Sequence, residues 1–458
     1  MSVGAIFLFM NTRSHVKDLE THSIPMLMLR YSIPTILAMT IHATYNVVDR
    51  IFVGRICGED ALAAITVCFS PTLFFLAISM TIGHGSAAIL SIYLGKKDFR
   101  SAEKILSQSI FLFGVFYLIV VALMSIFMRD VLMMFGATEK IIDDACSYYR
   151  IIVAGLIFEK LSGGMTHVIR AEGRPAYAMS TIFVSCFTNI VLDYVFLFAF
   201  EMGVSGAALA TIISQAVGVL WVFCFYFSGR SCLKIRLKDL RVHKGLFGAM
   251  CSAGSPSLIM QIFASLGVAL YVMQARKYGS EATIAVVGVA MAITTFMFLP
   301  IVGLSAGMQP IIGFNWGADN MQRVRKTLWY GMGFATLICV CGFAIGELFP
   351  DYLYIMFLGK DSNLISVGEK VLRILIFCYP LIGVNIVTSG FFQSTKRPVY
   401  AIIVTVMRQG VFLIPLLYVL PKYWGLDGLW YSFPMSDFAA FLLTLVFLRL
   451  KTSKEVVK

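Results

Sequence analysis

The sequence predicts an all-α membrane protein: twelve transmembrane helices in two parallel six-helix lobes, related by a pseudo-twofold axis along the membrane normal. Three observations predict it. The 458 residues are 59% hydrophobic and 14% charged, against about 25% charged in an average soluble domain, and mean hydropathy is +0.84. Apolar runs of about 20 residues, the length that crosses a bilayer, fill most of the chain. The backbone punctuation also recurs at a fixed interval. Gly95 and Gly317 lie 222 residues apart (317 − 95), as do Pro34 and Pro256, Gly203 and Gly425, and Gly206 and Gly428. Arg174-Pro175 returns as Arg397-Pro398 at 223. A repeat of this length is a doubled domain, not a solenoid period.

Residues 1–30 form a lead-in, with a surface helix expected to begin at Ser23-Ile24-Pro25. Met1–Met10 is apolar but too short to span, and no basic segment precedes it, so a cleaved signal peptide is not expected. The first lobe is 31–228, with spans at 31–53, 62–94, 105–128, 145–169, 176–200 and 205–228. A polar connector, 229–245, is expected to be an amphipathic linker. The second lobe is 246–449, with spans at 246–273, 283–313, 327–349, 368–393, 399–420 and 427–449, and 450–458 is a tail. The runs do not alternate polar and apolar residues, which excludes barrel strands. Six spans per lobe is an even number, so both lobes enter from one side; such parallel repeats place a cleft between them and suit alternating access. Glycines and prolines inside the spans, among them Gly83, Gly85, Pro256, Pro300, Gly303, Gly307 and Pro310, are read as close helix packing and kinks.

Net charge is +12, but its placement speaks against nucleic acid. Lysine and arginine gather in alternate loops, around Lys96–Lys104, Arg170–Arg174, Arg230–Lys244, Arg323–Lys326, Lys396-Arg397 and Arg449–Lys458. This positive-inside bias puts both termini and the connector in the cytoplasm. The ten cysteines form no C-x-x-C pair and are read as core packing. No phosphate-binding loop, H-E-x-x-H or nucleophile–base pairing appears, so no catalytic residue, metal or cofactor is assigned. The six histidines are dispersed.

Ionisable groups inside spans are few, because each costs at least about 2.5–3.5 kcal/mol to insert. Asp49, in Tyr45-Asn46-Val47-Val48-Asp49, and Asp193, in Asn189-Ile190-Val191-Leu192-Asp193, each lie about 25 Å along an outward-running helix at 1.5 Å per residue. Asn46 sits three residues before Asp49 and Asn189 four before Asp193, so each shares a face with its aspartate. Thr211, on the inward-running sixth span, reaches a similar depth. Two carboxylates, two carboxamides and a hydroxyl at one level form a candidate site for H⁺ or Na⁺. The competing reading has Asp49 pair with Arg50 and Asp193 bond a neighbouring helix. Glu159-Lys160 is read as an internal ion pair or a local departure at the lobe surface, and Arg408 and Asp437 as neutralising each other inside the second lobe. At the repeat interval Asp49 and Asp193 meet Tyr271 and Pro415, so the site is confined to the first lobe.

Several of these stretches also carry a family pattern. Tyr45–Gly54, Gly58–Ala64, Tyr93-Leu94-Gly95, Ile169–Pro175, Asn189–Asp193 and Gly203–Thr211 together resemble the multidrug and toxic compound extrusion (MATE) family, in its prokaryotic branch with an N-lobe cation site. The resemblance implies an exporter of cationic or amphipathic compounds driven by inward H⁺ or Na⁺. It also implies that Asp49, Asn189, Asp193 and Thr211 hold the ion. Another branch uses acidic residues in spans seven and ten; here those spans offer Gln261 and Asn385, which are candidate residues of the substrate cleft. A lipid-linked oligosaccharide or polysaccharide flippase is the alternative, and it would need a broad cationic cleft. A monomer in the lipid bilayer is expected, since one chain holds both lobes.

Overall fold

The computed structural model describes residues 14–139, 141–358 and 365–455. Met1–Met10 and residues 456–458 of the tail lie outside the described residues, as does the side chain of Asp49. Among the described residues every regular element is helical: α1 (Ser14–Thr21), α2 (Ile24–Gly95), α3 (Phe99–Met134), α4 (Ile142–Ala171), α5 (Pro175–Tyr194), α6 (Gly203–Phe227), α7 (Lys244–Tyr278), α8 (Glu281–Gly317), α9 (Met321–Leu348), α10 (Pro350–Leu358), α11 (Ile365–Ile376), α12 (Tyr379–Ser394), α13 (Pro398–Val406) and α14 (Leu413–Glu455). A 3₁₀ turn covers Leu237–Asp239, and π-helical turns follow α5 (Val195–Ala199) and α13 (Met407–Phe412).

These helices account for the expected spans. The backbone of α2 is helical throughout but carries two apolar spans, Ile24–Val48 and Pro71–Gly95, and Pro398–Arg449 carries the last two, folded at Gly425 with φ 55° and ψ −134°. The expected straight span 368–393 is instead broken by 46° between α11 and α12. Pro380 sits in the first turn of α12 and has no N–H to bond back to the carbonyl of Ile376, so the helical ladder is interrupted across Phe377-Cys378.

The 222-residue interval is written in the backbone. Left-handed residues recur in pairs: Lys97 (φ 59°) with Asp319 (φ 56°), Gly173 (φ 92°) with Lys396 (φ 57°), and Gly203 (φ 58°) with Gly425 (φ 55°). The helix after the first pair starts alike in both copies. Asp98 caps α3 by accepting from Ser101 N–H at 3.0 Å, and Asn320 caps α9 by accepting from Arg323 N–H at 3.2 Å. Pro175 and Pro398 open α5 and α13 inside the first turn, where a missing N–H costs nothing.

The paired glycines mark crossings. A Cβ on Gly95 would stand 2.0 Å from the Phe314 carbonyl oxygen, and one on Gly317 2.0 Å from that of Ile92. Each glycine thus meets the residue three before its own counterpart. A second crossing presses Gly85 onto Met250 O (2.1 Å) and Gly254 onto Thr81 O (2.0 Å); its repeat presses Gly307 onto Ser32 Cα (2.8 Å) and Gly303 onto Ile36. These contacts explain how the chain divides. One compact unit holds Leu37–Gly254 with Gly313–Ala318 and the N-terminal segment through His22; the other holds Ser23–Ile36, Ser255–Ile312 and the chain from Asp319.

In the first unit α4 packs on α3 and α6, and α5 on α6, around Leu132, Ile142, Tyr149, Leu156 and Ala208. Between α6 and α7 the one helical element of the connector 229–245 is the 3₁₀ turn Leu237–Asp239. The connector is held to α3 by Arg236 Nε donating to Glu103 Oε2 at 2.6 Å, by Arg100 to Asp239 at 2.7 Å, and by His243 N–H to Gln108 Oε1 at 2.8 Å. In the second unit α12 packs on α9, α13 and α14.

Candidate functional site

The inward face of α5 is polar. Thr181, Ser185, Asn189 and Asp193 recur every fourth residue, and all four are buried; Phe183, Phe187 and Val191 on the other side are exposed. A soluble helix turns its apolar face inward, so this helix is reversed, as a lipid-facing element with a hydrophilic interior must be. Asp193 and Asn189 are each 1% exposed.

The Asn189 amide links two helices. Oriented so that donor meets acceptor on both sides, its nitrogen donates to Asp193 Oδ2 at 2.8 Å and its oxygen accepts from the Thr211 N–H of α6 at 3.2 Å. The Thr211 hydroxyl lies 3.5 Å from the same amide and donates to the Ala207 carbonyl at 3.0 Å, a turn earlier in α6. α5 and α6 run in opposite directions, with Asp193 six residues from the end of the span Pro175–Ala199 and Thr211 eight from the start of α6. The π-helical turn Val195–Ala199 begins two residues after Asp193; such turns widen a helix and concentrate at functional sites.

The structure therefore brings together Asn189, Asp193 and Thr211. Asn46 lies on α2 and donates its amide to His42 O of its own helix at 2.6 Å, so no described hydrogen bond joins it to that group. In the second unit the counterpart Tyr271 is fully buried, with its ring 5.0 Å from Phe433. Gln261 is half-buried in α7. Asn385 is 2% exposed on α12, and neither atom of its amide has a hydrogen-bond partner among the described residues.

The two other charge pairs form. Lys160 Nζ lies 2.6 Å from Glu159 Oε1, and Arg408 Nε donates to Asp437 Oδ1 at 2.6 Å, with Phe298 beside the guanidinium at 5.8 Å. Sequence reading missed three polar groupings. The stripe Thr181–Ser185 below Asn189 was available in the four-residue spacing. Gln309, Gln393 and Ser257 join through bonds of 3.2 and 3.1 Å, and His84 and His167 meet edge to face at 4.3 Å with Arg170 at 3.5 Å from His167. The partners in these two groups are far apart in sequence, so no local signal announced them. Among the described residues no cluster of three histidine, cysteine or acidic side chains could hold a metal.

Just beyond the span formed by α4, Glu172 is 2% exposed. Burial pushes its carboxyl up to about 7, although Ser231, Tyr226 and Arg174 pull it down. Its Oε2 accepts from Ser231 Oγ of the connector at 2.5 Å.

A stack of long apolar helices around a buried carboxylate defines a multi-pass α-helical membrane protein with a polar interior. The family model described as MatE matches residues 34–195 and 256–419, one stretch in each copy of the repeat, and the chain belongs to this family of membrane transporters. Its relatives include the Multidrug export protein MepA of Staphylococcus haemolyticus (strain JCSC1435), 25% identical over 442 residues and 96% of both chains. The protein of the same name from Staphylococcus aureus (strain MSSA476) is 24% identical over 414 residues, 90% of each. A solved structure described as MATE in the bent conformation has the same fold, with TM-score 0.91 and 24% identity over 97% of this chain and 99% of that one.

Proposed function

We propose that the chain is a secondary active multidrug exporter. It expels cationic or amphipathic compounds in exchange for H⁺ or Na⁺ bound at Asp193 and Asp49, by alternating access. The observation that carries this reading is the Asn189–Asp193 pair held against Thr211 in an apolar helix pair. An acidic group in a span is costly and is retained where it moves charge. The MepA relatives, named as multidrug export proteins, support the substrate class.

The arrangement supplies a coupling step. A hydrogen bond to a charged carboxylate is worth about 1.5–3 kcal/mol, and one to a neutral group about 0.5–1.5. An arriving cation neutralises Asp193 and weakens its hold on Asn189, and through Asn189 the link to α6. The π-helical turn at Val195–Ala199 then has room to shift by one register. No cofactor beyond the coupling ion enters this scheme, and the working unit is a monomer with both termini cytoplasmic. The task is transport and not catalysis.

Ethidium efflux from proteoliposomes under a pH gradient or a Na⁺ gradient, imposed separately, tests the reading. The wild type is expected to respond to one of them. Asp193→Asn, which keeps the shape and removes the charge, is expected to abolish the gradient-driven component with an unchanged elution profile and melting temperature. Full export by Asp193→Asn overturns the ion site. A wild type that moves ethidium under neither gradient overturns the antiport reading, and a lipid-linked oligosaccharide becomes the substrate to test.

A further inference from the structure

We infer that the face of α9 carrying Arg325 and Lys326 is a binding site for one anionic phospholipid of the adjoining leaflet. An open groove of about 710 Å³ runs along this face, lined from Gln322 to Leu337 by residues of α9 alone and all of it within one compact unit. Arg325 and Lys326 lie at its polar end, both exposed. The first turn of α9 carries no acidic residue, and among the described residues neither cation forms an ion pair. One turn deeper, Trp329 and Tyr330 are 59% and 45% exposed; amphipathic rings of this kind settle at the headgroup level of a bilayer.

Below the rings the lining becomes hydrocarbon. Gly333 leaves a trough, since a Cβ there would meet nothing within 4 Å, and Leu337 beyond it is 58% exposed. From Arg325 to Leu337 the helix rises about 18 Å at 1.5 Å per residue. Half of a hydrocarbon core about 30 Å thick is about 15 Å. The stripe thus matches one lipid in polarity order and in length: cations for a phosphate, rings at the glycerol level, a trough for an acyl chain. The two unpaired positive charges select an anionic head over a zwitterionic one. This site is separate from Asp193 and does not depend on drug export.

Native mass spectrometry of the full chain tests it, after exchange into micelles with equal phosphatidylglycerol and phosphatidylcholine of matched acyl chains. Each lysine or arginine near an anionic head contributes about 1 kcal/mol, so two give about thirty-fold preference at 1.4 kcal/mol per tenfold. The wild type is expected to retain phosphatidylglycerol by that margin, and R325Q/K326Q to lose it. K238Q/R241Q, an equal charge change on the connector, is expected to keep it. Gly333→Trp, which fills the trough without touching a cation, is expected to lower retention of both lipids. The proposal is overturned by any of four results: no preference in the wild type, wild-type preference in R325Q/K326Q, equal loss in K238Q/R241Q, or unchanged retention in Gly333→Trp. A wild-type dimer dispersed by R325Q/K326Q would overturn it too, and would assign the face to a second copy of the chain.

Discussion

Replacing Gly317 by alanine tests the crossing of α2 and α8 directly. The new methyl would stand 2.0 Å from the Ile92 carbonyl oxygen and 2.8 Å from its carbon, where ordinary contact begins near 3.4 Å. Both obstacles are backbone, so no side chain can rotate away, and the helices must separate locally by about 1.4 Å (3.4 − 2.0). A gap of 0.5–1 Å already forfeits a quarter to a half of each dispersion contact along the seam. Overpacking of this kind costs about 1–3 kcal/mol, and more where nothing yields; alanine returns about 1 kcal/mol of helix propensity. Both obstacles being backbone, the cost is taken at the top of that range, and the expected net loss is about 2 kcal/mol (3 − 1). Gly163→Ala in α4 is the internal comparison, because a Cβ there meets nothing within 4 Å, and it should gain up to about 1 kcal/mol. The two variants should therefore differ by about 3 kcal/mol (2 + 1) in an SDS unfolding titration from mixed micelles followed by far-UV circular dichroism. Gly95→Ala should match Gly317→Ala, since its clash with Phe314 is the same 2.0 Å. A Gly317→Ala protein as stable as Gly163→Ala refutes the reasoning.

The remaining predictions concern buried charge. Arg408→Met leaves Asp437, 4% exposed, without its 2.6 Å partner and should cost about 3–5 kcal/mol, whereas Arg408→Met with Asp437→Leu should recover most of that loss. A double variant as unstable as the sum of its singles would show that the pair is not coupled. Glu172 gives a pH dependence. Its carboxyl rises from 4.5 to about 7 in the folded chain, so between those values the folded state holds a proton that the unfolded state has lost. Stability must then fall as pH rises through that window, by roughly 3 kcal/mol for a shift of about 2.5 units (7 − 4.5) at 1.36 kcal/mol each. Unfolding midpoints at pH 5 and pH 8 should separate in the wild type and converge in Glu172→Gln; equal separation in both proteins would remove Glu172 as the cause.

The candidate site was legible only in part. Asn189, Asp193 and Thr211 could be proposed together because helix rise and span direction place them at one depth. Which atom bonds which was not available that way: the 2.8 Å link through Asn189 depends on the rotation of α5 about its axis, and no rule of spacing supplies it. Asn46 is similar: its spacing places it on one face with Asp49, and the bond its amide nitrogen donates to His42 O one turn away came from the structure. The connector reads as polar from its composition, but its partners on α3, more than a hundred residues earlier, could not be read from it.

What the sequence determined by itself is the class of the molecule and its doubling. Hydrophobicity is summed over each stretch, and backbone punctuation is local, so span positions and recurring punctuation such as Gly95 and Gly317 can be read from the chain alone. The tertiary structure decided why Gly95 and Gly317 carry no side chain, where α11 and α12 break, and which buried polar groups meet. Those are contacts at ångström range between residues far apart in the chain, set by how helices rotate and cross, and a linear pattern of residue types holds no record of that rotation.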